Sequence, residues 1–240
     1  MHRFFIFLLI AFVSCQQSPL EDCFLSTGPI RTKTITFPKS PIQIDIFDNI
    51  KVTWHESDSS YLILNCGRNL HSKIDVLFDG EKLELKNKAR CNWVRDYSKP
   101  IQIDLYCPPP YNIKLNGFGN FITADTFRRD VFLINFYGTS ESKLKLDVGQ
   151  FYLDFNTYGK LDVSGNAEFA NIFTLKEGKL NASLLKIREL AFEIRGLNLV
   201  NVWVTDTIEG KILPGNNLFY KGNPFIITLD SKKDQFISKN

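Results

Sequence analysis

A repeat constrains this chain more than any other feature. Leu115, Ile134, Leu153, Phe173, Phe192 and Ile212 follow one another at steps of 19, 19, 20, 19 and 20 residues. A second ladder, Ile122, Ser142, Leu161, Leu180, Val200 and Phe219, steps by 20, 19, 19, 20 and 19. Self-similarity at a fixed period near 20 residues is the mark of a solenoid. Each ladder position sits in a short alternating run, such as Phe132-Ile134-Phe136, Phe151-Leu153-Phe155 or Val200-Val202-Val204. Apolar side chains at every second residue mean a strand with one buried face. A looser third ladder runs through Phe127, Val148, Phe169, Ile187 and Ile208. Three short strands and three bends fit in 20 residues at ~3.3 Å per residue.

No single repeat of this kind can bury its apolar stripe, so neighbouring repeats must supply the core. The expected fold is all-β: a parallel β-helix of about 19–21 residues per turn, with a more irregular N-terminal β region containing a hairpin. A β-sandwich is the alternative, but it does not require constant spacing. Gly119, Gly138, Gly159 and Gly178 precede second-ladder strands and read as tight corners, where glycine tolerates positive φ. Ser142 is the polar misfit of its column. Either its hydroxyl bonds to backbone, or the register slips and Leu144 turns inward.

The first half is less regular. Pro41-Ile42-Gln43-Ile44-Asp45-Ile46 and Pro100-Ile101-Gln102-Ile103-Asp104-Leu105 nearly match across 59 residues, close to three repeats. That spacing suggests a solenoid, or a sheet feeding it, reaching back to about Ile35. Asp79-Gly80 between two alternating runs predicts an antiparallel hairpin. Pro108-Pro109-Pro110 cannot lie in a central strand and marks a corner.

Residues 1–14 read as a secretion signal: a basic start at Arg3, then ten apolar residues from Phe4 to Val13. Ten is too few to span a membrane and fits a signal's apolar core. The run ends Phe12-Val13-Ser14-Cys15, which resembles a bacterial lipobox, with Cys15 as the lipidated residue. Residues 15–29 are then a lipidated tether and N-terminal cap, 30–230 a single domain, and 231–240 a polar tail. The implied partner is a membrane, reached through the lipid anchor, and the implied location is the outer membrane, on its periplasmic face or the cell surface. Four cysteines remain: Cys23, Cys66, Cys91 and Cys107. An even number in an exported chain suggests two disulfides, with three possible pairings.

Net charge is +3, with no long basic run, which argues against nucleic acid. Chemistry is hard to find. Asp125, Asp147, Asp154, Asp162 and Glu193 are interleaved with lysines and read as a solvated mixed-charge face. No catalytic set, metal site, phosphate loop or cofactor motif stands out, and His55 and His71 lack metal-ligand spacing to any cysteine. Trp54, Trp93, Trp203, Tyr137 and Tyr158 could offer a sugar-binding face. Tyr137 and Tyr158 precede glycines at corners that look equivalent, so they should form a short column.

Cys91-Asn92-Trp93-Val94-Arg95, Gly117-Phe118-Gly119-Asn120, Tyr220-Lys221-Gly222-Asn223-Pro224, and Asp22-Cys23 before an Ile35-Phe37 strand carry a resemblance. Together they resemble the head GIN-domain family over about residues 22–230. Its members are exported proteins of Gram-negative bacteria, often lipoproteins, described as auto-transporter adhesins. The resemblance implies a β-helical fold, no established activity, and a Cys23–Cys91 disulfide, leaving Cys66 to pair with Cys107. The expected function is a non-enzymatic envelope lipoprotein, an adhesin or binding module with a glycan or surface-protein ligand. A carbohydrate-active lyase or hydrolase on the same fold is the alternative, and a ligand-free structural envelope protein is a third.

Overall fold

The structure is a computed structural model that describes residues 26–90, 98–228 and 232–239. The chain forms a β-solenoid of about 6 turns, as the repeat requires. In chain order the strands are β1 (Ile30–Thr36), β2 (Gln43–Asp48), β3 (Ile50–Glu56), β4 (Tyr61–Gly67), β5 (Ile74–Phe78) and β6 (Lys82–Asn87). Then come β7 (Ile101–Cys107), β8 (Asn112–Gly117), β9 (Phe121–Thr123), β10 (Phe127–Phe136), β11 (Glu141–Phe155) and β12 (Lys160–Thr174). The last five are β13 (Lys179–Ile194), β14 (Leu199–Ile212), β15 (Asn217–Lys221), β16 (Phe225–Thr228) and β17 (Phe236–Ser238).

From β10 to β14 each strand pairs in parallel with the next, one coil on. β11 to β14 are long and cross two faces of the solenoid in one run. The first halves build what we term the back face, which β15 and β17 continue. The second halves build the front face, which β16 continues. Each of these coils is one long strand and one open corner, with its pairing interrupted between Asp162 and Ser164 and, one coil on, between Ala182 and Lys186 and between Ile187 and Glu189.

Like residues stack into columns. On the front face Phe132, Phe151, Ala170, Leu190, Ile208 and Ile226 lie over one another. On the back face the column is Val52, Phe121, Ser142, Leu161, Leu180, Val200, Leu218 and Phe236. Burying each large side chain contributes roughly 1.5–3 kcal/mol. Ser142 keeps its place because its hydroxyl accepts the Phe121 N–H at 3.0 Å. Leu144 is also buried, two residues on, so no slip occurs.

The structure corrects the sequence columns in detail. Ile172, not Phe173, stacks on Leu153, and Phe173 faces outward opposite Asp154 and Glu193. Phe121 and Leu218 replace Ile122 and Phe219. Phe169 points out between Gln150 and Glu189. A register shift between Asp162 and Ser164 adds the residue that turns a step of 19 into 20. Because pleating has period two, one extra residue moves a side chain to the other face.

The N-terminal end is built out of order. The coil β2–β3 is inserted between two later ones: β2 pairs with β6 and β8, and β3 with β7 and β9, all in parallel. The near-identical segments therefore do not correspond. Gln43-Ile44-Asp45-Ile46 lies on the front face, while Ile101-Gln102-Ile103-Asp104-Leu105 lies on the back and pairs with Ile50-Lys51-Val52-Thr53-Trp54. Antiparallel strands close this end. β4 runs against β7 and β1 against β4, while β5 and β6 form the hairpin expected at Asp79-Gly80. Ile35 thus belongs to a capping strand, not to a coil.

Corner glycines serve close approach rather than positive φ. Gly119, Gly138, Gly159 and Gly178 are not among the positive-φ residues. A Cβ on Gly138 would stand 1.5 Å from the carbonyl oxygen of Gly117 in the coil below. Gly80, at φ +104, has nothing within 4 Å of such a Cβ. Gly80→Ala should therefore cost only the backbone penalty of roughly 1–2 kcal/mol. Gly138→Ala should cost clearly more, because two backbones must separate. Chemical unfolding of both variants checks the order.

Candidate binding face

The outer surface of the front face is a polar tape. One outward column runs Glu84, Asp45, Lys114, Asn135, Asp154, Phe173, Glu193 and Lys211. Its neighbour runs Lys82, Gln43, Asn112, Leu133, Tyr152, Asn171 and Ala191. Asn135 reaches across to the neighbouring column, where its Nδ2 donates to Asn112 Oδ1 at 3.1 Å. The Tyr137 hydroxyl donates to Asp154 Oδ2 at 2.6 Å. That bond to a carboxylate, with partial burial, pushes the phenol up to about 12. Lys114 Nζ sits 5.8 Å from the centre of the Tyr137 ring. Between the columns lies a shallow groove of about 200 Å³, lined by Leu133, Asn135, Tyr152, Asp154 and Asn171. A wider one of about 570 Å³ lies at the hairpin, against Gln43, Asp79 and Lys82.

Such a surface offers amide, carboxylate and phenol groups beside apolar carbon, the mixture that fixes a polar ligand by orientation. Among the described residues its acids are held by other side chains or by backbone. Asp45 and Glu84 are both tied to Lys82, each at 3.4 Å. Asp154 and Glu193 lie two strands apart with Phe173 between them. The remaining candidate acids are engaged: Asp125 accepts the Glu56 N–H, Asp147 faces Arg128, Asp162 pairs with Lys160 and Glu193 with Arg195. Among the described residues no group of three or more histidines, cysteines or acids is placed to hold a metal ion.

The aromatics fall differently from expectation. Trp54 is fully buried and donates its Nε1–H to the Cys107 carbonyl at 3.1 Å. Trp93 lies outside the described residues. Trp203 is half-buried under Lys221, whose Nζ is 4.2 Å from the ring centre. Tyr158 is 62% exposed. It does not stack on Tyr137: the Asn156 N–H bonds to the Phe136 carbonyl, which places Asn156 over Tyr137 and Tyr158 over Thr139. The coil step here is 19 residues and the two tyrosines are 21 apart.

On the back face the structure shows a stack the sequence did not reveal. The rings of His55 and Tyr106 lie 4.6 Å apart at 12°, and those of Tyr106 and Tyr61 lie 4.6 Å apart at 6°. Adjacent strands β3, β7 and β4 place them side by side, a pairing that depends on the inserted coil. His55 Nε2 is 3.5 Å from Asp104 Oδ1. Tyr106 is covered on both faces, by His55 and by Tyr61. His71 contacts the Arg31 carbonyl through Nε2 at 3.0 Å.

Cys15, Cys23 and Cys91 lie outside the described residues. Cys66 and Cys107 do not form the expected link: both are buried free thiols. Antiparallel pairing of Tyr61 with Tyr106 and Leu64 with Ile103 puts the two cysteines at opposite ends of the strand pair. Six residues of strand, ~20 Å, separate them. Burial raises Cys66 to about 11 and Cys107 to about 12.

The sequence model of the family described as "putative auto-transporter adhesin, head GIN domain" matches residues 40–224. The chain belongs to that family. Solved structures share the fold. One is a "putative adhesin" from Bacteroides fragilis, at 17% identity and TM-score 0.76, covering 89% of this chain and 97% of its own. A second, from Parabacteroides distasonis, has the same description, 19% identity and TM-score 0.67, covering 90% and 97%. A third, from the same organism, is described as a "putative lipid binding protein", at 16% identity and TM-score 0.64, covering 90% and 97%. No curated protein matches the sequence.

The raised thiols predict alkaline behaviour. In the folded chain they keep their protons, while the unfolded chain loses them above about pH 9. Stability should be complete below that pH and decline as pH climbs toward 11 and 12. Cys107→Ala should flatten this decline in urea unfolding at increasing pH. A slope unchanged by the substitution would show that the thiol titrates normally.

Proposed function

We propose that this GIN-domain protein is a non-enzymatic binding module of the cell envelope, exported and held to the outer membrane by a lipid on Cys15. It adheres through the front face, and its ligand is a surface glycan. The observation that supports this most is the groove at Leu133, Asn135, Tyr152, Asp154 and Asn171. It combines hydrogen-bonding groups with apolar carbon and holds no pair of free carboxylates set across a bond. Retaining and inverting glycosidases need carboxyl groups roughly 5–9.5 Å apart with room for sugar between them. Here the nearest acids are engaged by lysine, tyrosine or arginine. Membership in a family whose description names an adhesin head domain agrees with this reading.

A glycan array probed with the purified chain tests it. The expected outcome is binding without loss of glycan, reduced at least tenfold by Tyr152→Ala or Asn171→Ala. Absence of binding to any glycan would sink the glycan reading, and release of sugar fragments would favour the lyase or hydrolase alternative.

The anchor has its own test. Lipid on Cys15 with further acyl chains would give stable membrane attachment. Cys15→Ser should move the protein from the membrane fraction to the soluble one, or leave it unprocessed. Unchanged fractionation would contradict the anchor.

A further inference from the structure

The first strand of the chain is open on three sides. Among the described residues β1 pairs with β4 alone, antiparallel, with Ile30 opposite Gly67 and Thr36 opposite Tyr61. Two flanking bonds fix which backbone groups that pairing uses: Arg68 N–H donates to the Pro29 carbonyl, and Phe37 N–H to the Ser60 carbonyl. Antiparallel ladders bond at every second residue. Arg31, Lys33 and Ile35 therefore turn their backbone groups to β4, and Thr32, Thr34 and Thr36 turn theirs outward. Those outward groups meet no backbone partner among the described residues. Both faces of the strand are wet as well. Six of its seven residues are exposed, Ile30 by 56%, and only Ile35 is partly covered.

The composition of β1 suits a strand that is completed from outside. Three threonines and two isoleucines favour extended backbone. Its two charges are both positive, and neither Arg31 nor Lys33 has an acidic partner among the described residues. They stand opposite Cys66 and Leu64, which are buried, yet are themselves exposed, so β1 overhangs the core. Cations on an edge strand guard it against indiscriminate pairing. A second copy of β1 would bring cation against cation, which is destabilising for residues directly opposite. An acidic strand meets no such barrier. It would take its hydrogen bonds from Thr32, Thr34 and Thr36, leaving Arg31, Lys33 and Ile35 in the non-bonded pairs, where side chains stand closest.

We propose that β1 is the docking edge for an extended acidic segment of another protein, which adds to the sheet as a further antiparallel strand. The order is then partner, β1, β4, β7, β3. Backbone bonds at the threonines give the affinity, and alternate side chains give the choice of partner. In its own direction the segment carries an apolar residue opposite Ile35, then acids opposite Lys33 and Arg31, one residue apart each time. This edge is separate from the front-face groove.

The probe is the peptide acetyl-Thr-Val-Thr-Glu-Thr-Glu-Thr-amide, and its counterpart with lysine at both glutamates is the control. Calorimetric titration of the purified chain gives the affinities, and amide hydrogen exchange locates the bound strand. The acidic peptide should bind at least tenfold tighter than the lysine peptide and should slow exchange at Thr32, Thr34 and Thr36. Thr34→Pro removes an outward N–H that β4 does not use, and proline is tolerated on such an edge. It should weaken the acidic peptide at least tenfold while the melting transition is retained. Arg31→Glu combined with Lys33→Glu changes only exposed side chains and should reverse the preference between the two peptides. No binding of either peptide at the highest soluble concentration would overturn the proposal. So would equal binding of both, a preference unchanged by the charge reversal, or protection that falls outside β1.

Discussion

Everything in this fold depends on one coil lying directly on the next. Inward side chains of a coil have no partner within it, and they are covered only by the coils on either side. The spacing of that stack is set by backbone hydrogen bonds between parallel strands, ~4.8 Å apart. At that distance the corners nearly touch, which is why Gly138 meets Gly117 where any side chain would collide. The same spacing lines up like residues into columns, so a phenylalanine rests on a phenylalanine and an asparagine on an asparagine. Core, corner and surface are three consequences of one distance.

A stack of this kind must end, and its ends are where the chain departs from the repeat. The N-terminal end is closed by antiparallel strands, with charge on the outermost ones. Its first coil is inserted between two that follow it in sequence. The C-terminal end is formed by the short strands β16 and β17. The candidate groove lies in neither region. It sits on the regular front face, where the outward positions line up from coil to coil while the residues that fill them change.

Much of this was legible in the sequence, and the limits have physical causes. The period and the alternation located the coils, because burial every second residue is demanded wherever a strand has one wet face. The Asp-Gly hairpin was legible because that dipeptide suits one tight turn. The exact columns were not. A count from Leu153 by the prevailing step of 19 reaches Ile172, but Phe173 is larger and more conspicuous, and an irregularity near Asp162 shifts the next step to 20. The inserted coil was not legible at all: a near-identical motif fell on opposite faces, since Ile-Gln-Ile-Asp suits any half-buried strand. The His55–Tyr106–Tyr61 stack depends on that insertion and was hidden with it. Of the candidate groove, Asp154 is legible as an acid. Asn135, Tyr152 and Asn171 are not legible, because outward polar residues on strands are ordinary until stacking brings them together.

Amide hydrogen exchange, read peptide by peptide, tests the nearest-neighbour account most directly. Coils with neighbours on both sides should be the most protected, so β11, β12 and β13 should exchange slowest and together. Protection should fall toward β1 and β5 at one end and toward β16 and β17 at the other. Slower exchange in β1 and β5 than in β12 would mean that the end strands, not the stack, hold the fold, and would contradict the account.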